Sequence, residues 1–422
     1  MRVKLFAWVQ TPWVIAVVAL LLRLAWLGYK ISVIPREVLA TAPFENEVGN
    51  VASALVDGHG FCCLFRQATG PTAWLGPVYP FLLAAVFKLF GTFTFGSFCA
   101  AVFVNSLFSA LACFPLFSAG LRVCGKFTAV LACWLWALAP VAIILPYAWI
   151  WDTSLSAFLA AVLLWATLVL PERPTVFAFA VYGLLWGISL LTNPALGAVL
   201  PFLLAWALRC AKSTKRQRLQ RVLACSAVVL FICLPWTIRN YVQFHRFIPL
   251  RSNFAYEFWS GNNPIFDPDS RETNRITRYE QTRRYAEVGE SVFLDEKWQA
   301  AERFVRMHPA LYGHLCARRI IATWCGTDSP WYDFVHADSW VAQVLLVSNL
   351  LSLPLVVGGL LCLYRVRRPL FVPIAAFPII FPVTFYLTHT SLRHRHPCDP
   401  AVALLTAIAL VFLRGTNRAD IG

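Results

Sequence analysis

The chain has 422 residues, 59% of them hydrophobic and 14% charged, with a mean hydropathy of +0.63. Soluble globular domains carry about 25% charged residues, so the composition excludes a soluble enzyme and points to an all-α polytopic membrane protein. The formal net charge of +15 falls in short loops between apolar runs, where the positive-inside bias accounts for it, and no nucleic-acid partner is expected.

The N-terminus reads Met-Arg-Val-Lys and enters a long apolar run without a cleavage site, which predicts a retained first span over 12–34. Arg23 lies inside it, where a charge is costly and marks either a functional position or a side chain that snorkels or pairs with a loop acid. The polar loop 35–75 follows, with Glu45 and Glu47 just upstream of Asp57-Gly58-His59-Gly60-Phe61, Thr69-Gly70-Pro71-Thr72-Ala73-Trp74 and Pro77-Val78-Tyr79-Pro80. Acids beside a turn system rich in Gly, Pro and aromatic residues suit a pocket wall.

Pro77 to Phe90 is apolar but short and opens on two prolines. Nine longer runs come after it, at 97–120, 127–150, 153–170, 175–192, 195–209, 222–238, 340–364, 369–388 and 399–414, for about ten spans in all. An eleventh span at Pro77–Phe90 would export Arg122, Lys126 and the basic run 209–221. A juxtamembrane helix there leaves every basic segment inside, together with both termini. The exported face then receives 35–75, the Trp151-Asp152 corner, Asn193-Pro194, 239–339 and 389–400. Three parts follow: an N-terminal transmembrane module, 1–238, with the first exported loop at 35–96; an exported loop, 239–339; and C-terminal transmembrane helices, 340–422. In the long loop, Ser291 opens a helical pattern through Leu294, Trp298, Ala301 and Val305 that stops at His308-Pro309, and a second helix is expected from Leu311 to Trp324.

Most of the thirteen cysteines sit in apolar runs as small hydrophobes. Cys62, Cys63, Cys316, Cys325 and Cys398 fall in or beside exported segments, where free thiols are expected and a disulfide is compatible.

Three acids, Glu45, Glu47 and Asp152, are expected on one face. They suit a general base, an oxygen ligand set for a divalent cation, or plain solvated charge. Between the last two spans, Arg393-His394-Arg395-His396 suits a phosphate clamp, a headgroup-facing cluster or, more weakly, a His-x-His zinc site. Asn262-Asn263-Pro264 lines an acceptor site or forms a turn.

In their order, the acidic first loop, Gly70-Pro71-Thr72-Ala73-Trp74, Pro77-Val78-Tyr79-Pro80, Leu191-Thr192-Asn193-Pro194, Phe258-Trp259-Ser260-Gly261-Asn262-Asn263-Pro264 and Arg395-His396-Pro397 resemble the GT-C superfamily of membrane glycosyltransferases. The resemblance is to bacterial relatives of protein O-mannosyltransferases and aminoarabinose transferases that use polyprenyl-phosphate sugars. It implies a GT-C-like bundle of about ten helices with exported juxtamembrane helices, in a bacterial inner membrane. It also implies inverting transfer of a hexose or pentose to a glycan, lipid or protein acceptor at the exported face, with no required cofactor and a divalent cation optional.

In the family the first loop supplies the catalytic acid, usually Asp in an Asp-Glu pair. Here the match falls on Glu45 or Glu47, with Asp152 resembling the second acid. Arg393, Arg395, His396 and Arg23 are the implied donor-phosphate residues, and Tyr79, Asn262 and Asn263 the pocket residues. A flippase or permease is the competing class, although transporters concentrate polar groups near the midplane. A glycan polymerase or ligase would share the architecture.

Overall fold

The computed structural model describes residues 10–65, 69–263, 271–327 and 339–414, and of 271–279 the backbone only. Among the described residues every regular element is a helix, and the one pairing of extended backbone is an isolated antiparallel bridge between Cys62 and Pro71.

The first span is α1, Pro12–Val33, opened by a proline where a missing N–H costs nothing. A short α2 (Arg36–Thr41) and a 3-10 turn (Ala42–Phe44) lead into α3 (Glu47–Val56). After Pro77 comes α4 (Val78–Phe90). It is too short to cross a hydrocarbon core, which takes about 20 residues. Phe87 of α4 packs edge to face on Phe44 at 4.9 Å, fastening α4 to the turn that precedes α3.

Helices α5 (Phe95–Leu111) and α6 (Cys113–Leu138) form one apolar run of 44 residues. The backbone nevertheless leaves helical geometry at Cys124 and Gly125, the latter at φ 80°, and turns back. The reversal brings Cys133 Sγ to the Cys113 carbonyl at 3.3 Å, and a Cβ at Gly120 would stand 2.7 Å from Ala129 Cα. Only glycine fits there. Arg122 and Lys126 flank this reversal. The chain continues through α7 (Pro140–Ala148), α8 (Thr153–Val169), α9 (Val176–Thr192), a 3-10 turn (Pro194–Val199), α10 (Leu200–Cys210) and α11 (Lys215–Phe244). A capping box of Thr214 and Gln217 starts α11, and α9 packs along it.

Next come α12 (Phe254–Gly261), α13 (Arg271–Met307, broken at Gly289) and α14 (Pro309–Cys325). After Gly289 the buried face of α13 is Phe293, Leu294, Ala301 and Phe304, whereas Trp298 is 42% exposed. The break sets this rotation by turning Tyr285 and Phe293 together toward Trp74, 6.1 and 6.4 Å away by ring centroids. The C-terminal part is α15 (Trp340–Val366), α16 (Arg368–Ile379), α17 (Val383–Leu387), α18 (Leu392–Arg395), a 3-10 turn (His396–Cys398) and α19 (Asp399–Leu413). Helix α19 packs against α6 and α15 and is buried on nearly every side, as a helix apolar all round should be.

Among the described residues seven helical segments are long and apolar enough to cross a membrane. The expected ten is not reached by that measure. The run 97–120 and the first half of 127–150 fall inside the single segment Phe95–Leu138, the rest of 127–150 forms the short helix α7, and Val176–Thr192 and Pro194–Cys210 are shorter apolar helices. Helix α8 distinguishes the two ends of the bundle. Arg122 pairs with Glu172 at 2.9 Å just past the C-terminus of α8, and Arg414 lies over Phe127 at 5.6 Å. Asp152 precedes the opposite end of α8. Arg2, Lys4, Arg418 and Pro264 lie outside the described residues.

Candidate active site

At the Asp152 end of the bundle is a cavity of about 570 Å³, lined by Glu47, Asp152, Arg251, Glu257, His389 and Arg393, with Trp74, Trp151 and Asn193 in its walls. Its volume suits a small-molecule ligand, for which about 300–1,000 Å³ is usual.

Glu47 opens α3. The Asn46 side chain caps the helix, accepting from Gly49 N–H at 2.9 Å and donating to the Pro43 carbonyl at 2.8 Å. A carboxylate in a first helical turn is favoured by the helix dipole. Glu47 is thus held half-buried at the cavity wall, while Glu45, one residue before the cap, is exposed and lies outside the lining.

Asp152 sits between α7 and α8, buried, with Oδ2 3.5 Å from Arg251 Nη2. Burial pushes its carboxyl up from the ordinary range, and Arg251 and Arg393 oppose that push. Arg251 comes from the loop between α11 and α12, which is tied down three times. Thr237 Oγ1 donates to Pro249 O at 2.8 Å, Trp236 Nε1 to Leu250 O at 2.8 Å, and Ser252 N–H to Ala73 O at 2.9 Å.

Arg393 lies over the rings of Trp149 and Trp151, at 4.7 and 4.8 Å from their centroids. Two aromatic faces fix the guanidinium plane and leave its N–H donors for a ligand. Across the cavity, His389 Nδ1 is 2.9 Å from Glu257 Oε2, and Asn253 Nδ2 donates to Glu257 Oε1 at 2.9 Å. Burial works against the charge of Glu257, yet His389, Arg393 and Arg251 hold its carboxyl below the ordinary range. His394 stacks flat on Phe385 at 4.9 Å and meets His389 edge-on.

The remaining sequence-derived residues stand outside this lining. Arg395 is buried, 3.0 Å from Asp399 Oδ1, and donates to Trp324 O and Asn349 Oδ1. His396 is fully buried, with Nδ1 2.8 Å from Asp399 Oδ2 and its ring stacked on Trp136 at 5.3 Å. Arg23 donates to Ser109 Oγ at 2.9 Å and to the carbonyls of Ala19 at 2.7 Å and Ala137 at 3.3 Å. Its charge is met by the bundle interior.

Tyr79 donates to Asn105 Oδ1 at 2.9 Å, and Asn105 Nδ2 reaches the Trp149 carbonyl at 3.5 Å, so Tyr79 braces the corner that carries Asp152. Asn262 Nδ2 bridges Phe258 O and Leu387 O while its Oδ1 accepts from Arg319. Asn263 donates to Trp259 O at 2.8 Å. Both asparagines form a turn that joins α12 to α17.

Arg251, Glu257 and His389 were not singled out in the sequence, where nothing distinguishes them from other loop charges. One hub behind the cavity was also unforeseen. Buried Glu290 accepts from Thr72 Oγ1 at 2.5 Å, Ser252 Oγ at 2.6 Å, Tyr285 Oη at 2.7 Å and Ala73 N–H at 2.9 Å. It pins the loop carrying Trp74 to the loop carrying Arg251. Gly76 passes so close to Leu191 O that a Cβ would lie 2.1 Å from it.

Over 97% of its length this chain matches the crystal structure of the Archaeoglobus fulgidus oligosaccharyltransferase complexed with Zn and sulfate, with a TM-score of 0.54 and 14% identity. The same enzyme tethered with an acceptor peptide matches with a TM-score of 0.52, 14% identity and 97% coverage. The likeness is one of fold: the helices follow the arrangement of the archaeal oligosaccharyltransferase. The chain spans about half the length of the archaeal enzyme, 50% and 51% in the two structures. ArnT from Cupriavidus metallidurans bound to undecaprenyl phosphate aligns with a TM-score of 0.39 and 14% identity, over 92% of this chain and 78% of that one. No protein-family model and no characterised protein matches by sequence.

The cavity's donor set does not fit a divalent cation. Among the described residues no three His, Cys, Asp or Glu side chains converge, and Asp152 and Glu257 face Arg251 and His389 instead.

Proposed function

We propose that the protein is an integral membrane glycosyltransferase that moves a hexose or pentose from a polyprenyl-phosphate donor to an acceptor at the exported face, by an inverting mechanism. The observation that carries this reading is the meeting of Glu47 and Asp152 with Arg251 and Arg393 in one cavity of a GT-C bundle. A donor of this type needs anion recognition at its phosphate and a base at the acceptor, and it brings no nucleotide.

Arg393, braced by Trp149 and Trp151, takes the donor phosphate with Arg251 beside it. The acceptor hydroxyl or amine attacks the anomeric carbon from the face opposite the phosphate. Its proton passes to the Glu47 carboxylate, the bond from sugar to phosphate oxygen breaks, and polyprenyl phosphate leaves with its charge matched by the arginines. Asp152 orients Arg251 and faces the acceptor. Arg395 and His396 have positioning parts, because both are held by Asp399 and fix the inward side of α18 and the turn after it, next to Arg393, whereas Arg23 braces the bundle interior.

The same reading puts the protein in a bacterial inner membrane with both termini cytoplasmic. Its support is the basic reversal at Arg122 and the Arg414 end of α19, both at the end of the bundle away from Asp152.

A panel of synthetic polyprenyl-phosphate sugars, offered to the purified protein in lipid with and without candidate acceptors, tests the reading. Acceptor-dependent release of free polyprenyl phosphate is expected from at least one donor. Movement of the intact donor across proteoliposomes without such release would replace the transferase with a flippase.

A further inference from the structure

The proposed mechanism leaves Cys62 and Cys63 unused. Both are half-buried in the loop after α3 and line a second cavity of about 820 Å³ together with Asp57, His59, Gly70 and Arg239. In extended backbone, neighbouring side chains point to opposite faces, which holds adjacent thiols apart. Cys63 instead adopts φ 64°, a left-handed conformation seen for only a few per cent of non-glycine residues. That turn carries its sulfur to the side of Cys62. The two Sγ atoms are 2.7 Å apart, with Cys62 Sγ also 3.5 Å from the His59 carbonyl.

The surrounding backbone holds this arrangement. Cys63 N–H donates to Gly70 O at 3.1 Å, Thr72 N–H donates to Phe61 O at 3.2 Å, and Arg239 Nη2 donates to the same Phe61 carbonyl at 2.7 Å. Arg239 Nη1 also donates to Thr72 O at 2.6 Å.

We propose that Cys62 and Cys63 are an oxidisable vicinal dithiol in the wall of the second cavity, converted to a disulfide by exchange with a small-molecule or protein disulfide. The Cys63 thiolate attacks one sulfur of the incoming disulfide, forming a mixed disulfide and releasing one thiolate. Cys62 then loses its proton and attacks Cys63 Sγ, expelling the second thiolate. One S–S bond is broken and one is formed, and the two cysteine protons end on the two released thiols. Burial and the contact with Cys63 push the Cys62 thiol up, which disfavours Cys62 as the first attacker.

The site is coupled to the first cavity through the chain. The Gly70-Pro71 strand paired with the dithiol runs directly into Thr72 and Ala73, held by Glu290, and into Trp74, so oxidation is read at the candidate active-site wall. The chemistry itself is independent of the transferase reading. Only its occurrence in cells rests on the exported placement of this loop.

The test uses full-length purified protein in lipid nanodiscs, treated with oxidised glutathione, denatured, alkylated and digested. The peptide holding both cysteines is expected unalkylated and lighter by two hydrogens than its dithiol form. Dithiothreitol should restore two alkylatable thiols, and prior treatment with phenylarsine oxide, which bridges close thiols, should block oxidation. Cys62→Ser is expected to stop at the glutathione mixed disulfide on Cys63. Full alkylation of both cysteines after oxidised glutathione, or a bond from either to Cys316 or another cysteine, would overturn the proposal. A peptide that closes in vitro but is reduced in cells supports the chemistry and counts against the exported placement alone.

Discussion

Asp152 and Arg251 meet at 3.5 Å from positions 99 residues apart, and both are largely shielded from solvent. A buried carboxylate that loses its cation is left uncompensated, and its proton affinity rises further. Arg251→Ala is therefore expected to shift the Asp152 titration to higher pH, moving the acid limb of the kcat/KM profile for sugar transfer in the same direction. Asp152→Asn should remove that limb's response to the Arg251 substitution. A limb unmoved in Arg251→Ala would separate Asp152 from the rate.

Glu257 has the opposite sign. Its carboxyl is held low in the folded protein, so its stabilising contribution is present above the unfolded carboxyl pKa of about 4.3 and is lost as pH falls through the folded value. Glu257→Gln should lower stability at pH 7 by about 1–2 kcal/mol, with the difference closing on acidification below about pH 4. Thermal unfolding in detergent across pH measures it. A deficit that persists unchanged in acid would locate the effect in packing.

Glu290 satisfies four donors from three segments. Glu290→Ala strands the hydroxyls of Tyr285, Thr72 and Ser252 in a buried site, at a cost of about 2–4 kcal/mol. Because Trp74 and Arg251 ride on the loops it joins, kcat/KM should fall even where the fold survives, and Glu290→Gln should recover part of both. Unchanged transfer by a destabilised Glu290→Ala would confine this residue to folding.

Arg393 and Arg23 were grouped together as donor-phosphate residues in the sequence, and their surroundings now separate them. Arg393→Lys keeps the charge but loses the planar stacking between Trp149 and Trp151, and a loss of about 1–2 kcal/mol in transition-state stabilisation is expected. Arg23→Leu strands backbone carbonyls and Ser109, lowering thermal stability, while the donor KM stays near that of wild type. A donor KM that rises selectively in Arg23→Leu would restore Arg23 to the site.

Legibility in the sequence followed the length scale of each signal. Long apolar runs, the short helix after Pro77, the helix starting near Ser291 and the break at His308-Pro309 are local patterns, and the backbone follows them. The spans at 175–192 and 195–209 were less secure because their apolar helices are short. Glu47 and Asp152 both line the cavity, and each stands where a polar loop meets a helix, a position the sequence does mark. Arg393 and Arg395 looked alike as a clamp, but they share one helical turn and sit about 200° apart around it. One therefore faces the cavity while the other faces Asp399. Glu45 and Glu47 are likewise divided by the Asn46 cap, which ends one turn and starts another. Arg251, Glu257 and His389 reach the cavity only through tertiary packing, for which the sequence carries no local sign.

The most direct test of the central claim is sugar transfer from a polyprenyl-phosphate donor by purified wild type, Glu47→Gln and Glu45→Gln in lipid nanodiscs, with folding checked by thermal unfolding. The account predicts that wild type and Glu45→Gln transfer at comparable rates while Glu47→Gln loses at least about 100-fold, the lower range for a general base. Transfer abolished in Glu45→Gln but kept in Glu47→Gln would contradict it.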